Sequence, residues 1–478
     1  MSTVRRVAKN TLVWFFGDIV GKILSLAFVI YAARYLHAEG YGILSFALAF
    51  TGMFGILSDI GFYELIVREV ARDKQKAGKY IGNVIILKSF LVAIMFGLLC
   101  ATINMMNYPS KTVELVLILG ISIAIDAFSV AFHAIFHAFE RMEFISLGKI
   151  LKNAMFLAGV FIIIYGNMGL LAFAYLYLIG SLFIFAYSFT ITAMKFARPK
   201  FEMDKRFCKW LIKEGLPFWA SSVFIKIYYD IDKVMLSMMV GDVAVGWYSA
   251  AYRLVVTLGF IPTAFIASIY PVTSRLFTSS KDSLKFATER AFKYLLIIGI
   301  PIGILTTELA DKIILSVYGT GYAPSTIALQ ILVWSEVLIF VNVVFGNLLN
   351  SINRQIIITY ATAIAAILNV VMNLLLIPKY SFVGASIATV ATEAFMFGFT
   401  FAWISRSEYE LHILSVMGKV AVAGSIMVIF IKYFVNSHIL IPLSLSMLIY
   451  FTIVYLSGGI DEIDVRILKQ LFGHKTEL

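Results

Sequence analysis

TLVWFFGDIVGKILSLAFVIYAARYLHAEGYGILSFALAFTGMFGILSDIGFYELI (Thr11–Ile66) contains two apolar runs, 11–35 and 41–66, separated by residues 36–40 alone. Each run exceeds the roughly 20 residues that a helix needs to cross a bilayer core. Backbone in lipid has to satisfy its own hydrogen bonds, so both runs are expected to be helices. Outward from this pair the pattern repeats, with spans at 81–103, 114–138, 144–165, 169–194, 216–239, 245–274, 289–308, 325–349, 356–377, 382–404, 413–433 and 439–457. The reading is an all-α integral membrane protein of about fourteen transmembrane helices. The longest outer connection is 309–324, which leaves no room for an extramembrane domain. Composition agrees: 61% of the residues are hydrophobic and 14% charged, against about 45–50% and 25% in soluble domains.

The first span follows Arg5, Arg6 and Lys9, as the apolar core of a signal peptide would. It is too long for one, carries Asp18 and Lys22, and precedes many more spans, so it is read as retained. Two cysteines cannot build a disulfide framework. Cys208 falls in a basic loop and Cys100 near the far end of a span, placing them on opposite sides.

Lys and Arg set the orientation. With the N-terminus inside, 29 fall on the cytoplasmic side, including Arg68, Arg72, Lys74, Lys76 and Lys79 in one loop and Lys195, Arg198, Lys200, Lys205, Arg206, Lys209 and Lys213 in another. Only five fall outside: Arg34, Lys111, Lys312, Lys379 and Lys432. Another five, Lys22, Lys88, Lys226, Lys233 and Arg253, lie within spans. A miscounted span would invert every later loop and destroy the asymmetry, so both termini are expected in the cytoplasm of a multi-pass cell (plasma or inner) membrane protein. The net charge of +11 follows the membrane and forms no nucleic-acid patch.

The chain repeats itself. At an offset of 204, YGILSFALAF (from Tyr41) aligns with VGWYSAAYRL (from Val245), pairing Gly42 with Gly246, Ser45 with Ser249, and Lys22 with Lys226. At an offset of 213, Phe132 pairs with Phe345 and Arg141 with Arg354, and the extra residues fit in the longer loop 309–324. Both members of each pair enter from the same side, so the repeats are parallel, with six spans each. The expected organisation is an N-terminal six-helix lobe (1–195), a basic cytoplasmic linker (196–215), a C-terminal six-helix lobe (216–405), and two extra helices with a cytoplasmic tail (406–478).

Ionisable residues inside spans cost roughly 2.5–3.5 kcal/mol each on insertion scales and mark candidate pathways. Lys22 lies about 16 Å into its span at 1.5 Å per residue, and Lys226 lies at nearly the same depth in its own. The two are read as a joint cationic site. Lys226, Asp230 and Lys233 share one helix face, and Asp18 and Lys22 repeat the four-residue spacing. A purely structural role, each Lys neutralised by its own Asp, is the competing reading. Arg253 adds a cation nearer the outer face. Asp126, Glu336 and Glu393 sit mid-span without an obvious local cation, as candidates for proton or sodium coupling or as protonated, hydrogen-bonded acids.

Other patterns carry less. Asp230-Ile-Asp232 looks like a metal-binding Asp-x-Asp, but on a helix its side chains diverge by about 200°. His133, His137 and Glu140 have metal-ligand spacing and are read as an interfacial polar face. Gly17-x-x-x-Gly21 and Gly299-x-x-x-Gly303 suit close helix packing, and Pro262 and Pro301 are expected to interrupt helices. No P-loop is present for direct use of ATP, and no cofactor is expected.

ARYLHAEGYGILSFALAF (Ala33–Phe50), LSDIGFYELIVREVAR (Leu57–Arg72), YDIDKVMLSMMVGDVAVGWYSAAYRLV (Tyr229–Val255) and NLLLIPKYSFVGASIATVATE (Asn373–Glu393) resemble the polysaccharide transporter family. That family includes the Wzx-type oligosaccharide flippases of the MOP superfamily, alongside the lipid II flippase MurJ and the MATE drug exporters. The resemblance covers spans one to twelve. It implies two six-helix lobes forming a V around a central cavity, and transfer of a polyprenyl-linked glycan from the cytoplasmic to the outer leaflet by alternating access.

An anionic (di)phosphate headgroup suits Lys22, Lys226, Arg253 and Lys233, with Asp18 and Asp230 as their charge partners. The expected partners are the lipid-linked glycan, membrane lipids and other polysaccharide-assembly proteins. The alternatives are a lipid II-type lipid flippase and a MATE-like ion-coupled multidrug exporter, whose cationic substrates the lysines would repel. An enzyme would need a catalytic outer loop, which the sequence lacks.

Overall fold

The computed structural model describes residues 3–434, 440–462 and 464. Arg5, Arg6 and Lys9 lie where side chains are not described, and most of the C-terminal tail lies outside the described residues. The chain is helical almost throughout: α1 (Thr3–Gly55), α2 (Phe62–Arg72), α3 (Ala77–Met105), α4 (Ser110–Ala138), α5 (Met142–Tyr165), α6 (Leu170–Lys195), α7 (Lys205–Met239) and α8 (Asp242–Leu258). It continues with α9 (Phe260–Ser279), α10 (Lys281–Glu308), α11 (Ala310–Val317), α12 (Ser325–Ser351), α13 (Gln355–Ser405), α14 (Leu414–Phe434) and α15 (Leu440–Leu456).

Among the described residues, ten helical stretches are long and apolar enough to cross a membrane. Two of them are each a pair of spans. Helix α1 is broken at His37 (φ 55°), and α13 at Ser381 (φ 53°). Helix α7 has the length, at 35 residues, but Lys226, Asp230, Asp232 and Lys233 interrupt its apolar run. Helix α15 is apolar but only 17 residues long. Counted this way, fourteen segments are of spanning character, as the sequence implies.

Several boundaries differ from the sequence reading. The second span stops at Gly55. A 3-10 turn and Gly61 (φ 66°) come next, and α2 is a separate amphipathic helix that buries Phe62, Leu65, Ile66 and Val70. The eighth span is two helices, α8 and α9, joined at Gly259. Pro262 sits in the first turn of α9, where its missing N–H costs no helical bond. Pro301 does not interrupt α10, which is continuous around it. Cys208 lies in the first turn of α7 and is buried, not in a loop. The longer outer connection holds the short helix α11.

Packing divides the chain into two compact units. One comprises Met1–Arg253, Tyr318–Tyr322 and Thr362–Ala385; the other comprises Leu254–Val317, Ala323–Ala361 and Ser386–Leu478. In the first unit α1 packs on α4, α5 and α7, and α4 on α6. Phe62, Leu65, Ile81, Phe132 and Leu211 belong to one apolar cluster there. In the second unit α10 packs on α12 and α14. Tyr450 closes α15 onto this group by donating its hydroxyl to the Ile297 carbonyl at 3.1 Å.

Two backbone contacts shape the first unit. The first is a close crossing. A Cβ at Gly42 would overlap the Asp242 carbonyl oxygen, and a Cβ at Gly246 would overlap the Ala38 carbonyl oxygen. Both pairs, 38 with 242 and 42 with 246, are 204 residues apart, the offset of the repeat. The breaks that precede them, at His37 and at Gly241 (φ 117°), are also 204 apart. The second contact is made by the segment between α6 and α7, which is strapped across the start of α3. The Lys200 N–H donates to the Gly78 carbonyl at 2.9 Å, and the Asp204 N–H to Asn83 Oδ1 at 3.1 Å. Gly78 and Gly82, one turn apart, have no side chain in the way of the Arg198 and Lys200 carbonyls.

Candidate functional site

Helix α7 carries Asp230 and Asp232 on diverging faces. Asp230 stands between two cations of its own helix: Lys226 Nζ is 2.6 Å from one oxygen, and Lys233 Nζ is 3.0 Å from the other. Spacings of four and three residues put all three groups on one face. Lys226 lies over the second segment of α1, where a Cβ on Gly52 would stand 2.9 Å from its Nζ. Lys233 lies 4.9 Å from the centroid of the Tyr252 ring on α8. The next residue, Arg253, donates to Ser25 Oγ on the first segment of α1.

Ser25 lies three residues beyond Lys22. Lys22 pairs with Asp18 at 3.1 Å, and Asp18 also accepts from Lys149 of α5. Asn153, one turn beyond Lys149, donates to the Gly21 carbonyl at 2.9 Å. Helices α1, α5, α7 and α8 thus present Lys22, Lys149, Lys226, Lys233 and Arg253 with Asp18 and Asp230. These seven groups sum to a charge of +3 when ionised. The excess is cationic, so the cluster suits an anion. Each of Lys22 and Lys226 has a carboxylate of its own helix, Asp18 and Asp230 respectively. The sequence reading counted Lys149 with the cytoplasmic charges and missed it. Its signal was Lys149, Lys152 and Asn153 on one face of α5.

The opposite face of α7 holds Asp232, which is 2% exposed. The Tyr248 hydroxyl donates to Oδ2 at 2.6 Å, and Asn373 Nδ2 donates to Oδ1 at 2.6 Å. Asn373 Nδ2 also donates to Asn369 Oδ1 at 3.0 Å. The Asn373 side-chain oxygen, itself buried, finds no hydrogen-bond donor among the described residues. A buried carboxylate beside amide oxygens, one of them unsatisfied, has the donor chemistry for a hard monovalent cation or a proton. The Asp-x-Asp pattern is therefore not one paired motif: its two carboxylates have separate chemistries.

The three acids expected to couple transport to ions fare differently. Asp126 has a cation after all: Lys152, brought by α5, lies 3.3 Å away. Glu393 accepts from Asn342 Nδ2 at 2.8 Å. Glu336 on α12 and Glu393 on α13 are both buried within the second unit. His133 bonds Ser188 at 3.0 Å, and His137 stacks edge-on to Tyr63. No group of three or more His, Cys, Asp or Glu able to hold a metal occurs among the described residues.

Two further ion clusters had no reading in the sequence. Lys88 is fully buried and pairs at 2.6 Å with Asp59, whose other oxygen caps α2 at the Phe62 N–H. In the second unit Asp461 and Asp464 form a reciprocal cap and receive Arg290, Lys293 and Tyr294 of α10. Burial raises the Asp461 pKa, but the Asp464 N–H and Arg290 more than offset it, holding the carboxyl below its ordinary range.

The profile of the family described as polysaccharide biosynthesis protein matches residues 7–277, more than half of the chain. The chain belongs to this family. A second profile, MatE, matches residues 217–375. Among curated relatives of this chain, one from Methanocaldococcus jannaschii, named uncharacterized membrane protein MJ1068, is 24% identical over 93% of this chain and 94% of its own. The probable low-salt glycan biosynthesis flippase Agl15 of Haloferax volcanii is 23% identical over 81% of each chain. Among solved structures, the lipid II flippase MurJ in an inward closed conformation superposes with a TM-score of 0.77 at 16% identity, over 96% of this chain and 99% of the other. At that identity the superposition establishes the fold alone.

Proposed function

We propose that the chain is a flippase. It carries a polyprenyl-phosphate- or diphosphate-linked oligosaccharide from the cytoplasmic to the outer leaflet, for assembly of cell-surface polysaccharide or glycoconjugate. The observation that carries this reading is the cationic excess of Lys22, Lys149, Lys226, Lys233 and Arg253 over Asp18 and Asp230, on helices of a polysaccharide-family chain. A phosphate bound there exchanges water for charge-assisted hydrogen bonds, which offsets the desolvation that bars it from lipid. The prenyl tail stays in lipid. Both termini are in the cytoplasm, the lobes are 1–195 and 216–405 joined by the linker 196–215, and alternating access exposes the cationic face to each side in turn. The activity is transport, with no covalent step.

For ion coupling we propose Asp232 in place of Asp126, Glu336 and Glu393. It is buried on α7, the helix that carries the cationic face, and is held by Tyr248 and Asn373, whereas Asp126 is paired with Lys152 and Glu336 and Glu393 lie in the second unit. Proton or sodium binding there would change the charge beside the cationic face. The test of the main reading is transfer of a fluorescent polyprenyl-diphosphate glycan across proteoliposome membranes. Lys226→Gln together with Arg253→Gln should abolish transfer while leaving insertion intact. Unchanged transfer would remove the cationic cluster from the mechanism.

A further inference from the structure

The strap between α6 and α7 has an outward side that the flippase reading leaves unused. The Gly78 carbonyl, Asn83 and a 2.9 Å ion pair between Lys79 and Asp204 fix its backbone to α3. A segment anchored at both ends could bury its apolar side chains underneath. It does the reverse: Phe201 is 66% exposed and Met203 56%. The segment from 197 to 204 is non-helical. The backbone turns tightly at Phe201, where the Glu202 N–H donates to the Lys200 carbonyl at 2.9 Å, and both the ring and the thioether are left exposed. Exposed Arg198, Lys200, Lys205, Arg206, Lys209 and Lys213 flank them, against Glu202 and Asp204. Asp204 is already engaged by Lys79, so the free charge of the strap is strongly positive.

We infer that this strap is an interfacial anchor that inserts Phe201 and Met203 among anionic phospholipid headgroups of the leaflet it faces. The chemistry is that of amphipathic membrane-surface segments: apolar side chains enter the headgroup–acyl boundary while Lys and Arg meet anionic lipid. Charge complementarity selects the occupant, since a neutral surface would leave six cations without counter-charge. The strap takes the basic side of the membrane as cytoplasmic, as in the proposed topology. It does not depend on what is transported, and its test reads insertion without any transport.

The test uses the full chain with Cys100→Ala and Met203→Cys, labelled at the new thiol with a fluorophore sensitive to polarity. It is placed in bilayers of phosphatidylcholine alone or with 30% phosphatidylglycerol, each also prepared with lipid brominated near the headgroup. The expected result is at least a twofold increase in bromine quenching with phosphatidylglycerol. Half a molar salt should reverse the increase by screening, and so should Arg198→Gln with Lys205→Gln and Arg206→Gln. These changes leave the Lys200 and Asp204 backbone bonds in place, and a single monodisperse species on gel filtration checks the fold. Equal quenching in both bilayers would overturn the charge selection. An unquenched, water-exposed probe in both would overturn insertion and give the surface to an acidic protein partner instead.

Discussion

Asp230 and Asp232 are two residues apart on one helix and live in different chemistries. Asp230 sits between Lys226 and Lys233, on a face that continues into Arg253, Lys22 and Lys149. Asp232 is buried among Tyr248, Asn369 and Asn373. A carboxylate flanked by cations stays ionised and serves to hold them. The proposed role of Asp232 is to bind a proton or cation, which would change its charge. One helix can therefore present a site for an anionic substrate on one face and an ion sensor on the other, and a shift in α7 would be felt by both.

The largest expected effect separates the two faces. Asp232→Asn keeps the shape and the Tyr248 and Asn373 neighbours but removes the charge. Transfer driven by an ion gradient should fall by about tenfold or more, the scale of 1.4 kcal/mol or above for a lost charge-assisted contact. Asp126→Asn, Glu336→Gln and Glu393→Gln together should leave gradient dependence in place; its loss in the triple variant, with Asp232→Asn retaining it, would return coupling to those acids.

Next in size is the cationic face. Lys226→Gln should lower transfer about tenfold with normal abundance, and adding Asp230→Asn should not restore it. If the double variant regains transfer, the pair is structural and the contrast between the faces collapses. Lys22→Arg keeps the charge with altered geometry and should retain partial activity.

A smaller effect tests packing instead of chemistry. Gly82→Ala places a methyl group against the Lys200 carbonyl and should cost about 1–3 kcal/mol, the usual range for overpacking. The readout is a lower thermal midpoint with substrate affinity unchanged. Gly97→Ala, where a Cβ meets nothing within 4 Å, is the control.

The smallest effect lies at Asp204. Its carboxyl is held below the ordinary 3.8 by the Phe207 N–H and then by Lys79. A depressed acid contributes stability above its unfolded value, and loses it as pH falls through the folded value. Asp204→Ala should lower the thermal midpoint slightly at pH 7. The gap between variant and parent should close below about pH 4.

The helices were legible because lipid allows few alternatives: length, apolarity and the Lys and Arg asymmetry together give the fourteen segments. The i, i+4 pairs at Asp18–Lys22 and Lys226–Asp230 were legible because helical spacing alone makes them. What could not be read is the pairing between distant helices. Lys149 on Asp18, Lys152 on Asp126 and Lys88 on Asp59 join residues 131, 26 and 29 positions apart. Asp232 with Asn373 spans 141. Nothing in local spacing favours those partners over others; only the packing of helices in three dimensions brings them together.

At the crossing of α1 and α8, Ala38 meets Gly246 and Asp242 meets Gly42. In a symmetric dimer the same rule holds: residue i of one copy meets residue j of the other, and j meets i. There, one altered codon changes both contacts at once. In a single fused chain the two halves of the joint are inherited separately. Each glycine can be lost alone, and the residues opposite can drift, as Ala38 and Asp242 already have. The halves can differ elsewhere, as Asp232 and its counterpart Phe28 do at the same offset, provided that both sides of this joint still fit.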